Sequence, residues 1–146
     1  GHEYAGGLSI AEGQFEPFTE RFEAVARESL GEEDLQPYLD VDAEVDFGEL
    51  SLSLAREMQL LGPFGVGNPE PIFQTRAVEI SERRDFRGVS RFRLRHNDHS
   101  ITAVVFGPPG ELRVQVGDRV DIAYRLREND WQGTYSLELR LLDVRT

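Results

Sequence analysis

Residues 62–71 read GPFGVGNPEP, three glycines and three prolines in ten positions. The pattern of apolar residues changes across this stretch. Before it, Phe15, Phe18, Phe22 and Val25 recur at helical spacing within residues 14–30, and Leu54, Met58 and Leu61 do so within 51–61. Pro17 fits only a first helical turn, Gly31 fits a stop, and Ser51 or Ser53 fits an N-cap. After it, alternation takes over. Val120, Ile122, Tyr124 and Leu126 interleave with Asp121, Ala123, Arg125 and Arg127, and Tyr135, Leu137, Leu139 and Leu141 interleave with Ser136, Glu138, Arg140 and Leu142. Five strands are expected, near 72–80, 89–96, 100–107, 118–127 and 134–144. Five short strands in so few residues imply a small closed or partly open β-barrel.

A phosphate-cradling glycine loop needs a strand before it and a helix after it. Here the order is reversed, and no Lys-Ser/Thr pair follows. The stretch therefore reads as a rigid elbow with Phe64 as its anchor. Upstream, LSI at 8–10 reads as the end of a short strand. LDVDAEVDF at 39–47 alternates strictly and reads as a half-buried strand with Asp40, Asp42, Glu44 and Asp46 on its solvated face. Those acids do not make a calcium loop, because Val45 replaces the glycine required at the sixth position and no glutamate falls at the twelfth.

The net charge of -11 argues at first sight against a nucleic-acid partner. Its distribution is more informative: residues 1–71 carry 3 Arg against 16 acids, and residues 72–146 carry 13 Arg against 11. Every basic side chain is arginine; genome or high-salt bias accounts for that at least as well as function. There is no cysteine, so disulfides and thiolate metal sites are excluded. No apolar run is long enough for a membrane helix. The first residue is not methionine, and the chain reads as a piece of a longer protein. His96 and His99 flank Asp98 in a polar turn.

The second half concentrates the residues that bind single strands. SERRDFRGV supplies Arg83, Arg84, Phe86 and Arg87; SRFRLRHN places Arg91, Arg93 and Arg95 opposite Phe92 and Leu94; ENDWQG offers Trp131. Arginines that track phosphates and aromatics that stack on bases suit single-stranded nucleic acid. A solvated arginine-rich sheet with Phe86 and Trp131 tucked against the elbow fits the same pattern, and pattern alone leaves both readings open.

PFGVGNPEPIF resembles the linker before the oligonucleotide-binding (OB) barrel of RecJ-type exonucleases, bacterial single-stranded-DNA-specific members of the DHH phosphoesterase family. GHEYAGGLSI resembles the glycine-histidine motif of that family's DHHA1 domain, LDVDAEVDF the strand after it, and RENDWQG the end of the barrel. The likeness spans essentially the whole chain. It implies an α+β fragment: 1–38 as the end of a DHHA1 domain, 39–71 as strand, helix and elbow, and 72–146 as a five-stranded OB-fold barrel. It also implies that His2, in a loop shaped by Gly1, contacts the phosphate backbone, and that nucleic-acid binding is favoured over the bland reading. The parent would hydrolyse single-stranded DNA from the 5′ end with Mn2+ or Mg2+, in recombination and repair in the bacterial cytoplasm. The DHH metal-binding motifs are absent from this chain, so no catalytic residue and no cofactor are assigned to it. Where relatives often carry His-Leu-Lys, it has Arg91-Phe92-Arg93. The competing class is a protein-interaction module that recruits a repair partner such as single-strand binding protein.

Overall fold

The computed structural model describes residues 5–31, 35–107 and 112–146. The chain divides into two compact units, Gly1–Leu39 and Asp40–Thr146. In the first, a 3-10 turn at Glu12–Gln14 runs into helix α1, Phe15–Ser29. Pro17 sits in the first turn, where its missing N–H costs nothing. Leu30 leaves the helix in an extended conformation, its N–H bonded to Ala26 O at 2.8 Å. Phe18 and Phe22 stack at 5.7 Å. Phe15, Phe22 and Val25 remain exposed. The strand expected at 8–10 does not form.

The second unit contains helix α2 (Leu52–Gln59) and strands β1 (Ala43–Glu44), β2 (Phe73–Phe86), β3 (Val89–His96), β4 (His99–Phe106), β5 (Arg119–Trp131) and β6 (Thr134–Arg145). The strand order is β1-β2-β3-β4-β6-β5, and β5 pairs back onto β2. β2 to β6 therefore form a ring of hydrogen-bonded strands. The five strands expected after the elbow are all present, several longer than expected. Two hairpins turn on Arg87-Gly88 and Gln132-Gly133, whose residues all have positive φ, the backbone that two-residue hairpin loops demand.

The elbow does not separate two bodies. β1 precedes it and pairs in parallel with the start of β2, Ala43 opposite Phe73 and Glu44 opposite Gln74. Asp42 N–H to Ile72 O and Val45 N–H to Gln74 O, both 2.9 Å, extend that pairing. The expected strand at 39–47 shortens to two ladder residues because the chain turns at Asp46 into a 3-10 turn at Phe47–Glu49, with Asp46 N–H bonded to the Glu49 carboxylate at 2.8 Å. Phe47 and Ala55 then enter the same core as Val78, Ile80, Phe92, Leu94, Val120, Ile122, Tyr124 and Leu139. Ser51 caps α2 by accepting from Leu54 N–H at 3.0 Å. Asn68 Nδ2 donates to Leu61 O at 2.9 Å and Pro63 O at 3.1 Å, and closes the elbow on itself. Glu70 fastens it to β5 through a two-pronged pairing with Arg127, Nη2 lying 2.6 Å from Oε2, while Arg125 Nε lies 3.6 Å away.

Thr75 Oγ1 donates to Val45 O at 2.7 Å, which uses its one proton. Its 2.8 Å contact with Tyr124 must then be donated by the tyrosine. Burial pushes the Tyr124 hydroxyl up to about 12, so it keeps that proton throughout the neutral range. Tyr124→Phe should cost about 1 kcal/mol, since one buried bond is lost. Thr75→Val should cost about 2 kcal/mol or more, because Val45 O and the Tyr124 hydroxyl both lose their partner. Urea denaturation of the two variants checks the order; a larger loss in Tyr124→Phe refutes it.

The Arg127 hydrogen bond holds the Glu70 carboxyl below its ordinary range. A lowered folded-state pKa stabilises fully above the unfolded value, and the gain disappears as pH falls through the folded one. Glu70→Gln should therefore destabilise the chain by about 1–3 kcal/mol at pH 7. It should cost clearly less at pH 3. Denaturation at both pH values reads this out, and equal losses would refute it.

Candidate nucleic-acid interface

β3 alternates cleanly. Phe92 and Leu94 point into the core, and Arg91, Arg93 and Arg95 point outward. Cross-strand register extends this outer face over four further strands. One row runs Phe86, Val89, Phe106 across β2, β3 and β4. The next runs Arg84, Arg91, Val104, Arg140, Arg125 from β2 round to β5. A third runs Glu82, Arg93, Thr102, Glu138, Arg127. An aromatic edge thus borders a band of guanidinium groups, with two carboxylates on its far side.

The arginines are not equally available. Arg91 Nη2 lies 2.8 Å from Glu138 Oε2, Arg95 Nη2 3.1 Å from Glu79 and Arg84 Nη2 3.3 Å from Glu82. Among the described residues, Arg87, Arg93 and Arg140 form no ion pair, and Arg140 acts on the Glu70 carboxyl only through its charge. Arg93 reaches only Thr102 Oγ1, at 3.4 Å. Arg87 lies over the Phe86 ring at 5.1 Å and Arg140 over the Phe106 ring at 5.3 Å. Both rings are largely exposed, so each guanidinium covers a ring that would otherwise face water.

Two expected site residues lie elsewhere. Arg83 faces inward: it sits over Phe92 at 5.5 Å and donates to Leu112 O at 3.1 Å and Val114 O at 2.6 Å, closing the ring against the loop before β5. Asp85 accepts from the same guanidinium at 3.2 Å. Arg83 is therefore a structural arginine. Trp131 is 70% exposed rather than tucked away, but it is remote from Phe86. β2 and β5 pair only where Phe73–Glu79 faces Tyr124–Arg119. β2 then overruns that zone to Phe86 in one direction, and β5 overruns it to Trp131 in the other. The two aromatics stand at opposite ends of the ring. His2 lies outside the described residues.

Phe106 and Arg140 join the face without having been singled out in the sequence. The available signal was parity: Phe106 falls on the same alternation as Thr102, and Arg140 on that of Glu138.

Among the described residues no group of three or more His, Asp or Glu could hold a metal ion. The acids of 39–47 serve the fold: Asp42 Oδ2 accepts from Ile72 N–H at 2.8 Å and Glu44 pairs with Arg76 at 3.0 Å. His96 Nδ1 is 3.4 Å from Asp46 and its ring meets Phe47 edge-on. The described residues do not fit a catalytic Mn2+ or Mg2+. Among them no helix is long and apolar enough to cross a membrane.

Residues 41–143 match the family described as the RecJ OB domain. The single-stranded-DNA-specific exonuclease RecJ of Thermus thermophilus is 32% identical over 146 residues, covering 99% of this chain and 20% of that protein. RecJ of Haemophilus influenzae is 28% identical over 144 residues, covering 95% of this chain and 25% of that one. The crystal structure of Thermus thermophilus RecJ in complex with Mn2+ superposes with a TM-score of 0.73 at 28% identity, over 96% of this chain and 20% of its own. The chain thus spans about a fifth to a quarter of the length of these relatives. The matched residues coincide with the unit that begins at Asp40 and closes into a ring of strands, and the chain belongs to the RecJ OB domain family.

Proposed function

We propose that this chain is the strand-holding part of a RecJ-type exonuclease and that its outer sheet face binds single-stranded DNA. The observation that carries the proposal is the aromatic row Phe86–Phe106 beside a band of arginines, three of which form no ion pair among the described residues. Guanidinium groups follow a phosphate chain, and exposed rings offer stacking surfaces to unpaired bases. Arg84, Arg87, Arg91, Arg93, Arg95 and Arg140 supply the charge, and Phe86 and Phe106 supply the stacking. Trp131 would meet a strand long enough to reach the other end of the ring. Residues 1–38 are proposed as the end of a DHHA1 domain whose Gly1-His2 loop contacts the phosphate backbone. The binding unit begins near Asp40 rather than at 72, because β1, Phe47 and α2 are built into it. The whole enzyme would degrade single-stranded DNA from the 5′ end using Mn2+ or Mg2+, in recombination and repair in the bacterial cytoplasm. A second reading, a surface that recruits a repair partner such as single-strand binding protein, draws on the exposed Leu60, Leu61 and Val66 around the elbow.

Anisotropy titration with a labelled oligodeoxythymidine at low ionic strength tests the binding reading. Binding should be weak and should fall steeply with salt. Arg93→Ala and Arg140→Ala should each reduce the slope of log K against log salt by about 0.7. Phe106→Ala should cost ~1–3 kcal/mol with little change of slope. A folded chain that binds no oligonucleotide even well below physiological salt would overturn the binding reading. The chain alone should leave end-labelled single-stranded DNA intact in the presence of Mn2+; metal-dependent degradation by a clean preparation would refute its assignment as a non-catalytic part.

A further inference from the structure

The arginine band contains its own competitor for phosphate. Glu138 lies in β6, directly across from Arg127 in β5 and beside Thr102 in β4, in the row next to the guanidinium row. Arg127 is taken by Glu70, so Glu138 is left to Arg91, at 2.8 Å. Its side chain is only 13% exposed, against 33% for Glu79 and 59% for Glu82, the other acids paired with arginines of this face. A carboxylate held this far out of water between strands does not swing aside freely. A phosphate that takes over Arg91 must displace it and then lie beside the negative charge left behind.

We propose that Glu138 sets the affinity of this face for single-stranded nucleic acid by occupying Arg91 in the free protein, so that binding there is an exchange of carboxylate for phosphate. The inference rests on the binding reading above and names the residue that regulates it. Exchange has a consequence that simple pairing lacks. When a free arginine neutralises a phosphate, the counterion of that phosphate is released, and binding weakens with salt. When the arginine is taken from a carboxylate, the exposed carboxylate gathers a cation in turn, and part of that release is cancelled. The native face should therefore respond to salt less steeply than its arginines would imply.

Glu138→Gln preserves the shape of the side chain and removes the charge. It should bind an oligodeoxythymidine more tightly at low salt by up to about fivefold, the upper end of the worth of a partly exposed ion pair. Its salt slope should steepen by up to about 0.7. In an Arg91→Ala background the same substitution should gain much less. Glu128→Gln is the charge control: Glu128 is engaged by Arg56 at 2.8 Å, on the other side of β5 from Arg127, and its loss should leave the slope unchanged. If Glu138→Gln does not fold, Glu82→Gln reads the same exchange at Arg84, with a smaller gain. Wild-type binding with no tightening and no steeper slope in the folded variant overturns the exchange alone. Absence of binding by the wild type and by the variants alike overturns the binding reading and the exchange with it. An equal gain from Glu128→Gln reduces the effect to net charge and also overturns the exchange.

Discussion

β2 pairs with β3 and with β5 as well as with the short β1, and the architecture of the second unit follows from that. Its first half lies against β5 and its second half against β3. One straight strand cannot serve both partners of a closed ring, and β2 bends at two irregularities. The first falls between Thr75 and Val78, where Ala77 takes a φ of 54° and its N–H leaves the ladder to bond Asp121 Oδ1 at 2.9 Å. The second falls between Ile80 and Glu82, where Ser81 Oγ bonds Arg93 O at 2.9 Å. Each inserts an extra residue and increases the local twist, as bulges do. Ring closure pairs β2 with β5 over Phe73–Glu79, and it aligns side chains from five strands into continuous outward rows.

Those two bulges explain much of what the sequence concealed. Simple alternation from Val78 and Ile80 would put Glu82 and Arg84 inside and Arg83 outside. The extra residue at Ser81 reverses the parity, so Arg83 faces Phe92 while Glu82 and Arg84 face solvent. The sequence reading places Arg83 in a loop, whereas the bulge turns it inward on a longer β2, and nothing local in SERRDF announces that bulge. Strands without bulges were legible: Val120, Ile122, Tyr124 and Leu126 are buried as their alternation requires, as are Phe92 and Leu94. Helix α1 was legible to within a residue or two for the same reason, a clear period. The outer face was half legible. Arg91, Arg93 and Arg95 share one strand, whereas Phe106 and Arg140 join them only through pairing across strands, which depends on contacts distant in sequence.

The elbow shows a different limit. Gly and Pro mark where a chain turns, but not whether the turn joins two bodies or folds one back on itself. At 62–71 the second holds. Asn68 stitches the turn, Glu70 ties it to β5, and Thr75 accepts a hydrogen bond from Tyr124 while donating one to Val45 O. The last of these joins half-buried Val45 before the elbow to Thr75 just after it and to Tyr124 in the middle of β5, the last two fully buried. A two-residue parallel ladder such as β1 is too short to predict from alternation, and the buried hydroxyl pair that secures it carries no sequence signature at all.

The acidity of the chain looks different once its carboxylates are placed. The second unit has 14 arginines and 18 acids, at first sight a balance hostile to DNA. Many of those acids are spent internally. Glu44, Glu70, Glu79, Glu82, Glu128 and Glu138 hold arginines, while Asp42, Glu49, Asp118, Asp121 and Asp130 accept from neutral backbone N–H groups and keep their charge. Paired charges a few ångströms apart project little field beyond the ~10 Å over which salt screens at moderate ionic strength. What a strand of nucleic acid meets at the surface is then governed less by the total charge than by the few groups left over. On the outer face these are Arg87, Arg93 and Arg140, two of them resting on aromatic rings.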